Sequence, residues 1–230
     1  MISFGQEARI KYGAKMPEVI FQGADGRLEG RFHPQRSTDS PIAIILHPHP
    51  EYSGTMNNKI VYNLHYSFFN MGFSCLRFNF RGVGKSEGTF DQGVGELADA
   101  TSALDFLQSH VPNARACWVV GFSFGAWIGM QILMRRPEVT GFVSISPPAN
   151  TYDFSFLAPC PSSGLIINGS NDKVVPSDKV TELVNKLQQQ KGIVITHTVI
   201  ENANHFFDPG MDKMLDTVQK YVQKRLTENT

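Results

Sequence analysis

The chain has 230 residues, and its 21 lysines and arginines balance its 21 aspartates and glutamates, so the formal net charge is zero. Because a neutral chain has no long-range field that attracts polyanions, we expect neither nucleic acid nor an anionic membrane as a partner. A hydrophobic content of 41% is ordinary for a globular protein, and the length favours one domain over residues 1–230.

The N-terminus mixes acidic and basic side chains and has no apolar segment typical of a signal peptide. No apolar run elsewhere approaches the length of a membrane span. We therefore expect a cytoplasmic protein. The three cysteines, Cys75, Cys117 and Cys160, cannot all pair, and their spacing does not suggest a metal site. Cys75 and Cys117 lie at predicted strand starts and are interpreted as small buried hydrophobes.

The predicted elements begin with an antiparallel hairpin over residues 18–34, whose turn is at residues 23–26. Apolar runs then predict strands at residues 42–46, 75–80, 118–120, 142–145, 165–169 and 193–200. Apolar stripes at helical spacing predict helices at about residues 60–71, 94–111, 124–136, 180–187 and 211–222. Such alternation is typical of an α/β fold, with a mostly parallel central sheet covered by helices on both faces.

The segment Gly121-Phe122-Ser123-Phe124-Gly125 reads G-x-S-x-G between a predicted strand and a predicted helix. This context is typical of a nucleophile elbow, a strained turn that lifts the serine above the sheet. Side chains at the two glycine positions would collide with the neighbouring strand and helix. The pattern also arises by chance, in which case the serine is idle, so the assignment depends on a suitable acid and histidine.

Asp172 and His205 supply that acid and histidine, because each follows a predicted strand, as Ser123 does. In an open parallel sheet, the loops after the strands share one edge, where ligands bind. The sequence therefore predicts Ser123 as nucleophile, His205 as general base and acid, and Asp172 as the group that orients the imidazole. The alternatives are a surface-loop role for His205 and a turn-forming role for Asp172, with Asp178 as the competing acid.

The order Ser…Asp…His resembles that of the α/β-hydrolase superfamily, above all its small, nearly lidless bacterial dienelactone-hydrolase-like and esterase-like members. Further matching stretches are residues 44–50, 53–58 and 79–86. Dienelactone hydrolases use a cysteine nucleophile, so Ser123 argues against that particular reaction. The resemblance implies the α/β-hydrolase fold and a reaction without a cofactor.

The resemblance also implies an oxyanion hole made of two backbone N–H groups, one of them that of Phe124. The second comes from the loop after the strand 42–46, where family members usually carry His-Gly-x and this chain has His47-Pro48-His49-Pro50. Because proline has no N–H, His49 is the predicted donor and Tyr52 the second choice. An alternative interpretation of His47 and His49 as a metal pair lacks a third ligand, so we expect no metal.

Residues 147–163 stand where many such hydrolases insert a lid domain. We interpret them as a short aromatic flap at the pocket or, equally, as a hydrophobic plug over the sheet edge. The predicted pocket residues are aromatic, namely Tyr52, Tyr152, Phe154, Phe156 and Phe206. A short flap favours small or short-chain substrates.

These features predict a serine hydrolase that cleaves a small-molecule carboxylic ester through an acyl-enzyme. Peptidase or amidase, thioesterase and acyltransferase activities would use the same three residues and stay open. The alternative of another class is a non-catalytic protein of this fold that binds a ligand without turning it over. The sequence does not set the oligomeric state, and a homo-oligomer stays open.

Overall fold

The computed structural model describes residues 17–228, and within them eight strands form one sheet. The strands are β1 (Glu18–Gly23), β2 (Gly26–His33), β3 (Ile42–Leu46), β4 (Ser74–Phe78), β5 (Cys117–Phe122), β6 (Val139–Ile145), β7 (Gly164–Gly169) and β8 (Ile195–Ile200). The predicted absence of a signal peptide concerns residues 1–16, which lie outside the described residues, as do residues 229–230 of the predicted domain.

The described part of the chain also has five α-helices, and each of them follows a strand or the loop after it. They are α1 (Lys59–Asn70), α2 (Val94–His110), α3 (Phe124–Leu133), α4 (Ser177–Gln188) and α5 (Met211–Glu228). Buried side chains of α2, α3 and α4 belong to one hydrophobic cluster and those of α1 and α5 to another. The two clusters cover opposite faces of the sheet, because successive side chains of a strand alternate between them.

The strand order is β1-β2-β4-β3-β5-β6-β7-β8. The pairs β1–β2 and β2–β4 are antiparallel, and all the other pairs are parallel. Gly23 pairs with Gly26, which leaves a two-residue turn in the hairpin. The predicted fold, a mostly parallel sheet with an N-terminal antiparallel hairpin and helices on both faces, is confirmed.

Strand β4 ends two residues earlier than the sequence predicts, at Phe78 instead of Phe80. The backbone N–H of Asn79 donates to the carbonyl of Glu29, 2.9 Å away, and that of Phe80 donates to the His47 ring, 3.0 Å away. The N–H of Phe80 therefore bonds to the His47 side chain and not to the backbone of β3. For this reason Phe80 is not part of the parallel ladder between β3 and β4.

Helix α3 ends at Leu133, whereas the apolar pattern predicts an end near Arg136. Arg136 precedes Pro137, and the residue before a proline is pushed away from helical geometry. The N–H groups of Arg135 and Arg136 both donate to the carbonyl of Ile132 in a closing turn. The proline therefore ends the helix although the apolar pattern continues.

All three cysteines are buried and free, which confirms the interpretation of Cys75 and Cys117 as buried hydrophobes. Over residues 17–228, no helix has both the length and the apolar character that crossing a bilayer requires.

His65 is a fully buried histidine in α1, and both its ring nitrogens lack a hydrogen-bond partner among the described residues. Its ring lies 5.8 Å from that of His33. Burial, reinforced by the charge of Arg77, lowers the pKa of His65 well below the ordinary value of 6.5. The folded protein therefore holds this ring in its neutral form.

We expect the free energy of unfolding to fall as the pH drops below about 6.5. There the unfolded chain protonates His65 and the folded chain does not, so the unfolded state binds more protons. Each such histidine contributes a slope of up to about 1.4 kcal/mol per pH unit down to its folded-state pKa. Urea unfolding at about pH 7 and about pH 5 measures the loss, which His65→Leu should reduce. If the free energy of unfolding fell between these two pH values as much in His65→Leu as in the wild type, His65 would not be the source of the pH dependence.

Candidate active site

Ser123 lies in the tight turn between β5 and α3, with φ 53° and ψ −118°. A positive φ is unfavourable for a residue with a side chain, so the surrounding structure must hold it. The Ser123 N–H donates to the carbonyl of Ile145 on β6, 2.8 Å away, and its carbonyl accepts from the N–H of Ala126 at 2.8 Å. These two hydrogen bonds fix the serine between the sheet and the helix.

The two glycines of the turn stand where no side chain would fit. A Cβ atom at Gly121 would lie 2.3 Å from the Gly125 carbonyl oxygen. A Cβ atom at Gly125 would lie 2.5 Å from the carbonyl oxygen of Leu46 and 2.6 Å from that of His47. These contacts bring the start of α3 directly against the loop that follows β3, so the collisions that the sequence predicts are present.

Ser123, His205 and Asp172 form a continuous chain of hydrogen bonds. The Nδ1 atom of His205 lies 2.7 Å from Oδ2 of Asp172, and its Nε2 atom lies 3.2 Å from Oγ of Ser123. Because a carboxylate can only accept, Nδ1–H donates to Asp172, and Nε2 is left to accept from the serine hydroxyl. This arrangement can remove a proton from Ser123 as the oxygen attacks a substrate.

The carboxylate of Asp172 has two separate tasks. Its Oδ1 accepts from the N–H groups of Val174 and Val175, each 2.8 Å away, whereas Oδ2 accepts from His205. Both interpretations of this residue therefore hold, because Oδ1 stabilises the turn and Oδ2 orients the imidazole. The competing acid, Asp178, is exposed in the first turn of α4.

The loop after β8, which carries His205, is fixed against the loop after β7, which carries Asp172. The N–H of Asn171 donates to the carbonyl of Ala203 at 2.9 Å, and the N–H of Asn202 donates to Oγ of Ser170 at 2.8 Å. A Cβ atom at Gly169 would lie 2.2 Å from the Ala203 carbonyl oxygen. This close approach brings the acid and the histidine together.

The loop after β3 carries His49, the predicted second oxyanion donor. Pro48 and Pro50 have no N–H, that of Glu51 donates to the His49 ring, and that of Tyr52 donates to the His49 carbonyl. The N–H of His49 has no acceptor among residues 17–228. The second choice of the sequence analysis, Tyr52, is therefore already engaged.

The N–H of Phe124, the other predicted oxyanion donor, belongs to the first residue of α3. The first N–H groups of a helix have no partner within the helix. That of Phe124 also has none elsewhere in the described chain. Two unpaired donors, those of His49 and Phe124, therefore lie on the two segments that meet at Gly125.

Both ring nitrogens of His47 take part in hydrogen bonds that hold the loop after β3 in place. Its ring is fully buried, with Nδ1 2.6 Å from the carbonyl oxygen of Pro48 and Nε2 accepting from the N–H of Phe80. Burial lowers its pKa to about 4, so the ring is neutral. Within residues 17–228, no group of three or more His, Cys, Asp or Glu is arranged to hold a metal ion.

Three of the predicted pocket aromatics contact residues of the site. Tyr52 is 83% exposed, and its ring lies 4.7 Å from that of His49. Phe206 is 54% exposed and lies 5.3 Å from the His205 ring. The Tyr152 ring lies 5.9 Å from that of Phe124. Aromatic surface therefore flanks the serine on both the histidine side and the oxyanion side.

The structure does not bring the other two predicted aromatics to Ser123. Phe154 is buried in the core together with Leu157, and the Phe156 ring stacks 6.1 Å from that of Phe154. The part of residues 147–163 around Phe154 therefore acts as the hydrophobic plug, because it packs into the core. The part around Tyr152 acts as the aromatic flap, because it contacts Phe124 beside the serine.

Trp127 lies on α3, four residues after Ser123, and was not predicted as a site residue from the sequence. Its ring stacks on that of Tyr152 at 4.3 Å, and its Nε1–H donates to the carbonyl of Asp153 at 3.1 Å. Helical spacing from the serine is the signal that indicates this position. Trp127 therefore holds the flap against the helix that begins at the elbow.

A half-open cavity of about 500 Å³ lies between residues 149–158 and α4. Tyr152 belongs to its lining and contacts Phe124, so the cavity adjoins the site through this side chain. Ser123, Asp172 and His205 are not part of the lining. Helix α4 contributes apolar and charged side chains to this lining, namely Lys179, Glu182, Leu183, Lys186 and Leu187, and no sequence pattern indicated this wall.

The comparisons with known proteins concern the family and the fold of the chain. A family model described as the alpha/beta hydrolase fold matches residues 44–160. An uncharacterised protein of Rickettsia prowazekii (strain Madrid E) is 51% identical over 211 residues, which are 90% of this chain and 89% of that protein.

Three solved structures are similar over almost their whole length. A protein of unknown function from Agrobacterium tumefaciens is 61% identical with a TM-score of 0.90, and the match covers 92% of this chain and 97% of that one. An alpha-beta serine hydrolase homologue from Coxiella burnetii is 32% identical with a TM-score of 0.80, covering 91% and 99%. A lidless serine hydrolase from Xanthomonas campestris is 28% identical with a TM-score of 0.81, covering 93% and 96%. Because the family model spans half of the chain and relatives above 30% identity cover about nine-tenths of it, the chain belongs to the α/β-hydrolase family.

Proposed function

We propose that this hydrolase cleaves carboxylic esters through an acyl-enzyme on Ser123. The observation that carries the proposal is the hydrogen-bonded chain from Ser123 through His205 to Asp172. A serine hydroxyl is a weak nucleophile unless a base accepts its proton during the attack, and this chain supplies the base. The non-catalytic alternative gives no reason for these three side chains to be aligned.

The reaction has two halves. In the first, Ser123 Oγ bonds to the ester carbonyl carbon while His205 takes its proton, and the carbonyl oxygen becomes an oxyanion. The N–H groups of Phe124 and His49 would bind this oxyanion. The bond to the alcohol then breaks, and His205 gives its proton to the departing oxygen. In the second half, water attacks the acyl-enzyme in the same way and releases the carboxylic acid and the free serine.

We propose small or short-chain esters as substrates. Residues 147–163 supply a flap with one short 3-10 turn at Ser155–Leu157, and the exposed Tyr52 and Phe206 leave the entrance open to solvent. A long acyl chain would find little apolar cover at such an entrance. Activity that rises with acyl length would contradict this part of the proposal.

The direct test is covalent capture of Ser123 by a fluorophosphonate, combined with hydrolysis of p-nitrophenyl esters from acetate to dodecanoate. The matched control is Ser146→Ala, because Ser146 is a buried serine that also follows a parallel strand and has a φ of 45°. We expect wild type and Ser146→Ala to be labelled. A wild type without labelling or turnover would identify a binding protein. Labelling without ester turnover would keep Ser123 as the nucleophile, and the proposed substrate would then be an amide or a thioester instead of an ester.

A further inference from the structure

The His49 side chain has its proton on a defined nitrogen. Its Nδ1 accepts a hydrogen bond from the N–H of Glu51, 3.2 Å away. A neutral imidazole carries one proton, so Nε2 must be the donor when Nδ1 accepts. Burial lowers the pKa of His49, which favours the neutral ring. The side chain therefore presents an N–H donor at the tip of its ring.

The ring of His49 packs against three aromatic side chains, one of which belongs to the residue after Ser123. Its centroid lies 5.0 Å from that of Phe124, 4.8 Å from that of Phe90 and 4.7 Å from that of Tyr52. Phe124 directly follows Ser123, and the backbone of His49 supplies the proposed oxyanion donor. A substrate bound to both oxyanion donors would therefore lie beside this ring.

The Nε2 donor has no protein partner. It makes no hydrogen bond with a described residue, and the half-buried ring does not seal the atom inside the core. The charged groups near the ring are Glu51 and Glu96. The two carboxylate oxygens of Glu96 already accept from the N–H groups of Asp91 and Gly93. Because neither carboxylate is hydrogen-bonded to Nε2–H, this donor is available to an acceptor from outside the chain.

Resting on the proposed esterase function, we propose that the His49 side chain selects the substrate through Nε2–H. This group donates a hydrogen bond to a second, uncharged oxygen of the substrate, near the scissile carbonyl. The preferred substrates are esters that carry an ether, keto or hydroxyl oxygen beside the reacting group. The oxygen is uncharged because Glu51 and Glu96 make the surroundings unfavourable for a carboxylate.

The test compares two esters of equal length, methyl methoxyacetate and methyl butyrate, in which an ether oxygen replaces one methylene. The quantity measured is the ratio of their kcat/KM values, in wild type and in His49→Phe. The variant keeps the backbone N–H and an aromatic ring but loses the Nε2 donor. We expect the ratio to fall about tenfold or more, the loss of one hydrogen bond to substrate. The intrinsic reactivity of the two esters cancels, because both enzymes face the same pair.

Two further variants sharpen the comparison. His49→Gln retains a side-chain donor and should retain more of the ratio than His49→Phe. His110→Phe makes the same replacement at an exposed histidine on α2 and should keep the ratio of the wild type. A ratio in His49→Phe within about twofold of wild type would overturn the proposal, as would an equal loss on both esters.

Phosphonate labelling separates this proposal from the proposed function. If His49→Phe is labelled on Ser123 and its ratio is unchanged, the role of the His49 side chain is wrong and the nucleophile stands. If wild type is not labelled, the proposed function itself is wrong.

Discussion

Replacing Ser123 by alanine is expected to lower kcat for ester hydrolysis by about 10⁴- to 10⁶-fold. The replacement removes the atom that attacks the carbonyl carbon, so no acyl-enzyme can form. What remains is the stabilisation of an oxyanion by the N–H groups of Phe124 and His49, which accelerates attack by water to a much smaller extent.

The Ser123→Ala protein should unfold at nearly the temperature of the wild type, because the hydroxyl bonds to His205 alone among the described residues. Initial rates with p-nitrophenyl acetate measure the loss, and a thermal melt checks the fold. Ser146→Ala is the matched control and should retain its activity. A decrease of less than tenfold for Ser123→Ala would exclude this serine as the nucleophile.

Asp172→Asn is expected to lower kcat by about 10⁴-fold. The N–H groups of Val174 and Val175 require an acceptor, so the amide oxygen takes the place of Oδ1. The NH₂ group then faces Nδ1 of His205 and donates to it. The imidazole proton moves to Nε2, and a ring protonated there cannot accept the proton of Ser123.

The matched control is Asp178→Asn, which removes the exposed carboxylate on α4 that competes for the same role in the sequence. Its activity should stay close to that of wild type. Asp172→Asn keeps the acceptor of the turn, so its melting temperature should fall less than that of Asp172→Ala, which loses all three hydrogen bonds of the carboxylate. An Asp172→Asn enzyme with more than a tenth of wild-type kcat would contradict the proposed role.

The positions of Ser123, Asp172 and His205 were predictable because, in a parallel sheet, the place of a residue along the chain determines the edge of the sheet at which it lies. Each residue follows a strand, and the loops after parallel strands meet at one edge. The apolar runs that predict the strands are fully buried, as in β3 and β7, so their pattern is strong. The hairpin was predictable for a different reason, because its turn at residues 23–26 is local and carries turn-forming residues.

Side-chain directions in residues 147–163 were not predictable, because this segment has neither helical nor strand periodicity. Tyr152 turns towards Phe124, whereas Phe154, two residues later, enters the core. The role of His47 was hidden for a different reason. Its ring bonds to the N–H of Phe80, and a side-chain contact across 33 residues leaves no pattern in the sequence.

The close approach at Gly125 has a consequence for exchanging parts between relatives. Only a hydrogen atom fits between this residue and the carbonyl groups of Leu46 and His47, so residues 47–54 and 121–125 form a single transferable module. A chimera that takes one segment without the other would alter the spacing between nucleophile and oxyanion donors. Libraries aimed at new substrates should keep the backbone of this module and every side chain in it except that of Tyr52, and should diversify Tyr52 and Phe206, whose side chains project into solvent at the rim.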